Sequence, residues 1–129
     1  MKTAPAFDDL TMDSPKNDLF GNKTTNVRHF TEYGKENSLL NGTMAEENIV
    51  KMLNPMSYVE DSKATKTQHG RIRHGECDRD TSLAISAMLV LKLKEQNCNV
   101  DYHSPWNVPH SGDYDLEELF AWIDGICHE

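Results

Sequence analysis

Between Leu83 and Leu93 the chain is apolar around nearly the whole circumference of a helical projection, interrupted only by Ser86 and Lys92. A helix of that composition is expected to be buried against a sheet. Short stretches with strand character flank it, His69 to His74 before and Val100 to His103 after. A strand, a helix and a strand in that order make a βαβ unit, and a helical crossover favours parallel pairing. Gly70 is a poor strand residue, and Gly75 ends the first strand. Two strands do not complete a parallel sheet, so the pair is expected to have had neighbours from residues absent from this chain.

Thr81 or Ser82 can cap the central helix, which is expected to run to about Gln96, with Asn97 or Asn99 ending it. A loop containing Pro105, Asn107, Pro109 and Gly112 follows. Asp113 or Asp115 then opens a last amphipathic helix through Leu116, Leu119, Phe120, Trp122, Ile123 and Ile126. The first half is less ordered by pattern. Residues 1–43 mix Gly and Pro with Asn, Thr and Asp, sustain no period, and read mostly as loop. Thr43 is a plausible N-cap for a helix from Met44 to about Leu53, with Asn54 and Pro55 as its stop. Tyr58 and Val59 read as a short extended piece, and residues 60–67 as a polar connector.

The net charge of -8 is spread along the chain, and the only local basic cluster is Arg71, Arg73 and Arg79. That excludes a nucleic-acid surface, which needs clustered cations. Arg71 and Arg73 alternate on a strand and are expected to pair with nearby carboxylates. Cys77, Cys98 and Cys127 lack paired metal or redox spacing and read as free thiols. No metal and no cofactor is expected, although His74 with Cys77, or Cys127 with His128, could be drawn as zinc ligands. The N-terminal residues lack an apolar signal region and no window is long enough to span a membrane, so no membrane partner is expected and the chain as encoded reads as cytoplasmic. His29, His69, His74, His103 and His128 read as ordinary surface or packing histidines. Trp122 falls on the apolar face of the last helix, whereas Trp106 could line a pocket or pack beneath its loop.

Asp78 lies just after the first strand and His110 just after the second. In a parallel sheet both following loops open at the carboxyl edge, where an aspartate can hold the Nδ1 hydrogen of an imidazole and leave Nε2 to move a proton. Strand, acid, helix, strand, histidine, helix is the C-terminal order of an α/β-hydrolase, with the nucleophilic serine expected well upstream. Asp80 rivals Asp78 as the acid, though an aspartate so near a helix start is also favoured by the helix dipole. None of the 8 serines lies in a Gly-x-Ser-x-Gly elbow, so none is expected to act as that nucleophile.

At these residues the sequence resembles the bacterial tannases and feruloyl-esterase-like α/β-hydrolases. The resemblance rests on Arg71-Ile-Arg-His-Gly, on Asp78-Arg-Asp-Thr-Ser-Leu-Ala84, and on the run from His110 through Tyr114-Asp-Leu-Glu-Glu-Leu-Phe to Asp124. Lys2-Thr-Ala-Pro-Ala-Phe7 and Asn17-Asp-Leu-Phe-Gly21 extend it towards the start. It implies Asp78 as the triad acid and His110 as the base, with Asp80 and Lys2 holding phenolic hydroxyls of the substrate. It also implies a loop-rich, partly helical lid segment over residues 1–55, followed by the C-terminal part of an α/β-hydrolase core over residues 56–129. The sequence departs from the family at Lys16, where tannases carry a glutamate; an ammonium cannot accept the phenol hydrogen bond a carboxylate accepts.

The expectation is therefore the C-terminal part of a tannase-like serine esterase that hydrolyses phenolic esters of galloyl or feruloyl type, inactive alone for want of its serine. The alternative is a non-catalytic remnant or interaction module that pairs with a missing N-terminal half, since an unpaired strand edge invites a partner.

Overall fold

The computed structural model describes residues 8–79, 81–111 and 114–128. They fall into two compact units, one within Met1–Ala64 with Arg79–Ser82, the other within Thr65–Asp78 with Leu83–Glu129.

In the first unit, elements are short and the order comes from polar contacts. A turn of 3-10 helix at Asn17–Leu19 precedes strand β1 (Arg28–His29), helix α1 (Glu32–Glu36), strand β2 (Thr43–Met44), and helices α2 (Glu47–Leu53) and α3 (Met56–Val59). The two strands pair in parallel, Arg28 opposite Thr43 and His29 opposite Met44. Thr43 is thus a strand residue and not the expected helix cap: its N–H donates to the Val27 carbonyl at 3.0 Å, and the helix begins four residues later. Tyr58 and Val59 are helical, not extended. Asn54 accepts the Met56 N–H on its side-chain oxygen at 3.1 Å, which starts a turn that Pro55, with φ of -59°, is shaped to enter.

At the centre of this unit sits Asp8. Its carboxylate accepts from Asn17 Nδ2 at 2.6 Å, from the backbone N–H groups of Phe30 and Thr31 at 2.8 and 2.9 Å, and from the Thr31 hydroxyl at 3.0 Å. Its Oδ1 also lies 2.7 Å from His29 Nδ1, and His29 Nε2 lies 2.8 Å from Ser38 Oγ. His29 is therefore a packing histidine, but one bonded at both ring nitrogens. Two glycines make room: a Cβ on Gly34 would fall 2.3 Å from Asp8 Oδ2, and one on Gly42 2.6 Å from the His29 ring.

The second unit is the βαβα anticipated from the sequence. Strand β3 (His69–Arg73) and strand β4 (Asn99–His103) pair in parallel in full register, from His69 opposite Asn99 to Arg73 opposite His103. Helix α4 (Leu83–Glu95) connects them, and helix α5 (Leu116–Cys127) follows. Gly70 does not break β3: it pairs in register with Val100, and a Cβ there would meet Cys98, Leu93 and Val100 at ordinary contact distances of 3.6 to 3.8 Å. Asn97 ends α4 in the left-handed conformation, φ 61°, and the Cys98 N–H closes back on the Leu93 carbonyl at 3.0 Å. Although α4 is apolar almost all round, its burial against the sheet is confined to Ser86 and Val90, one turn apart, while Leu83, Met88 and Leu91 are exposed. A two-stranded sheet is wide enough to cover one stripe of a helix and no more. Among the described residues, no helix is long and apolar enough to cross a membrane.

Candidate active site

Parallel pairing puts the carboxyl ends of β3 and β4 side by side, and the two segments leaving them run together. The pairing continues past the strands, with the His74 N–H donating to the His103 carbonyl at 3.2 Å and the Glu76 N–H to the Pro105 carbonyl at 3.0 Å. Residues 75–78 close a turn, the Asp78 N–H reaching the Gly75 carbonyl at 3.0 Å. Asp78 and His110 meet there: Asp78 Oδ2 lies 3.0 Å from His110 Nδ1. The carboxylate side chain is 7% exposed and the imidazole 63%. A buried acceptor holding one nitrogen of an exposed ring selects the tautomer with its hydrogen on Nδ1 and leaves Nε2 as the basic atom. That is the arrangement of a general base with its anchor.

The paired arginines of β3 behave as expected. Arg73 Nε and Nη2 reach Asp115 and Asp101 at 2.6 and 2.7 Å, and Arg71 contacts both carboxylates, its Nη2 on Asp115. Asp115 stands at the start of α5 but makes no side-chain cap there, its carboxylate being taken by the arginines. The hydrogen bond and charge of Arg73 hold the carboxyls of Asp115 and Asp101 below their ordinary range against the opposing effect of burial.

Asp80 and Lys2 lie outside the described residues. Trp106 is 84% exposed and so is not packed beneath its loop. Tyr102 points its hydroxyl at Ser86 Oγ, 3.4 Å away, and Tyr58 lies under the Lys51 ammonium. Cys77, Cys98 and Cys127 are free thiols, and among the described residues no three His, Cys, Asp or Glu side chains gather as metal ligands. The linked Asp8, His29 and Ser38 were not anticipated. Separations of 21 and 9 residues between polar side chains carry no periodic signal.

No family model matches the chain, and no curated protein matches it. Solved structures do. The native tannin acyl hydrolase from Lactobacillus plantarum is 44% identical with a TM-score of 0.86, covering 98% of this chain and 28% of its own. A tannin acyl hydrolase in complex with ethyl gallate is 45% identical with a TM-score of 0.82, over 98% of this chain and 28% of its own. The tannase of Fusobacterium nucleatum is 46% identical with a TM-score of 0.77, over 98% and 27%. The chain therefore spans just over a quarter of the length of the tannases it matches. With that identity along almost its entire length, and with its parallel strands and helices superimposing on theirs, this mixed α/β chain belongs with the tannases as a tannase-like segment.

Proposed function

We propose that this chain supplies the acid and the base of a serine-dependent hydrolase of phenolic esters, galloyl or feruloyl in type. The observation that carries the reading is the Asp78–His110 hydrogen bond of 3.0 Å at the carboxyl ends of two parallel strands. In this reading Asp78 fixes the imidazole, and His110 takes the proton of a serine hydroxyl as it attacks the ester carbonyl. His110 then returns that proton to the departing alcohol. The serine and its oxyanion hole come from polypeptide outside these 129 residues, since no serine of the chain sits in an elbow motif. The chain alone is then inactive. Residues 1–55 form part of a lid and residues 56–129 the end of an α/β-hydrolase core, with Asp80 and Lys2 holding ring hydroxyls. Two neighbours were solved with ethyl gallate and with 3,4-dihydroxybenzoate, which supports a phenolic acyl group. Lys16 argues for a ring preference shifted away from the fully hydroxylated one.

The exposed apolar side chains of α4 and α5 favour a second reading, a non-catalytic module that pairs with an N-terminal half. One experiment separates the two. The chain is mixed with a separately expressed N-terminal half of a tannase, and ethyl gallate hydrolysis and co-elution are measured. Activity that disappears in His110→Ala supports the esterase; co-elution without activity supports the pairing module; absence of both sinks each reading.

A further inference from the structure

We propose that Gly75 is a positioning residue that sets the register of Asp78 against His110, an inference resting on the esterase reading above. Gly75 sits at the head of the turn that presents Asp78, and its φ is not in the left-handed region that only glycine favours, so conformational freedom does not explain it. Space does. A Cβ at Gly75 would fall 2.3 Å from the Val108 carbonyl oxygen, 2.5 Å from the Pro109 carbonyl oxygen and 2.9 Å from the Val108 carbonyl carbon. All three are backbone atoms of the loop that carries His110, and no rotamer change relieves such a contact. The same Val108 oxygen accepts the Cys77 N–H at 2.9 Å. The loop thus rests on the bare α-carbon of Gly75 while being pulled in by the N–H two residues later.

The consequence is geometric. Opening the 2.3 Å contact to the 3.0 Å below which Cβ atoms are essentially never found requires about 0.7 Å of backbone movement, 3.0 less 2.3. The Asp78–His110 bond is already 3.0 Å, and an equal lengthening takes it out of hydrogen-bonding range. By contrast, a Cβ on Gly125 in α5 meets nothing within 4 Å, so Gly125→Ala controls for the added methyl group itself.

The test is the tautomer of His110, read by long-range proton–nitrogen NMR on the full chain at a pH where its imidazoles are neutral. Wild type and Gly125→Ala should show the hydrogen on Nδ1. Gly75→Ala should shift His110 to the Nε2–H form that a free imidazole prefers, as Asp78→Ala does, while His29 keeps its own pattern. A folded Gly75→Ala that retains the Nδ1–H form overturns the proposal. Should that variant not fold, hydrogen exchange on the wild type decides. Protection of the Glu76 and Cys77 amides by roughly tenfold or more over open-loop amides supports the stapled loop, and exchange at the open-loop rate overturns it. None of these readouts needs turnover, so the two failures are distinguishable: a complemented enzyme that hydrolyses no ester sinks the esterase reading, and with it any catalytic meaning of Gly75, whereas an unchanged tautomer in Gly75→Ala sinks the positioning role alone. If both hold, Gly75→Ala in the complemented enzyme lowers kcat by about a hundredfold with little change in KM.

Discussion

Among the described residues two aspartate–histidine pairs join distant segments, Asp8–His29 and Asp78–His110; they share a hydrogen bond and differ in their surroundings. A third pair, His128 with Asp124, consists of exposed neighbours at the end of α5, 3.3 Å apart. Asp8 and His29 lie 2.7 Å apart with side chains 2% and 0% exposed. Both nitrogens of that ring are taken, one by Asp8 and the other by Ser38, and the carboxylate has further donors from Asn17 and Thr31. Asp78 and His110 lie 3.0 Å apart, but the ring is open to solvent. Ring access tells the two apart: an imidazole sealed on all sides cannot exchange a proton with a substrate, so Asp8–His29 holds a unit together while Asp78–His110 can do chemistry. Serine, histidine and aspartate in a row, as in Ser38–His29–Asp8, are not enough to make a hydrolytic site.

The comparison is sharpened most by removing each ring in turn. His110→Ala should lower ester hydrolysis in the complemented enzyme by at least about a thousandfold, yet cost the chain only about 1 kcal/mol of stability, since the ring lost is exposed and only one hydrogen bond to the buried Asp78 carboxylate goes with it. Ethyl gallate kinetics beside a urea titration measures both; equal stability losses for the two pairs would erase the distinction. His29→Ala should do the reverse on stability, costing about 3 kcal/mol or more, because it leaves the buried Asp8 carboxylate short of a partner and opens a cavity.

Acid sensitivity follows with a smaller effect. Burial pushes the Asp8 carboxyl up, but the hydrogen bonds from His29, Thr31 and Asn17 together bring it below its ordinary value of 3.8. A carboxyl depressed in the folded state contributes stability that is present above its unfolded value and lost as pH falls through the folded one. The urea midpoint should therefore fall as pH drops below about 3.8, the ordinary value for Asp8. Asp115→Asn should flatten part of that decline, because Arg73 depresses Asp115 in the same direction. A decline unchanged by Asp115→Asn would show that the arginine pairs contribute nothing to it. The smallest change expected is a gain: Gly125→Ala, in open space within α5, should stabilise by about 0.5–1 kcal/mol, and a loss of stability there would mean that α5 is covered.

The second unit was legible in the sequence because its information is periodic. The Leu83–Leu93 block, the alternating Arg71 and Arg73, and the glycine and asparagine stops each specify a local structure that tertiary contacts then keep, and the order of Asp78 and His110 along the chain placed them at one sheet edge. The first unit was illegible for the opposite reason. Its organiser is a single carboxylate gathering donors from residues 17, 29, 30 and 31, and no window of sequence contains the pattern. Thr43 has the right chemistry for a cap and was claimed instead by a strand partner at Arg28. Gly75 was legible as a strand stop, but its second role depends on two carbonyls more than 30 residues away.

Helix α4 carries a last consequence, for how such a chain accumulates substitutions. It buries Ser86 and Val90 and leaves Leu91 64% exposed. In a library of variants of this chain, selected only for folding, position 86 should admit little beyond small residues, whereas position 91 should drift freely to lysine or glutamate. Within a longer polypeptide that covers the outer side of the helix, Leu91 would be as constrained as Val90. The pattern of drift along one helix thus records whether its apolar side has a neighbour.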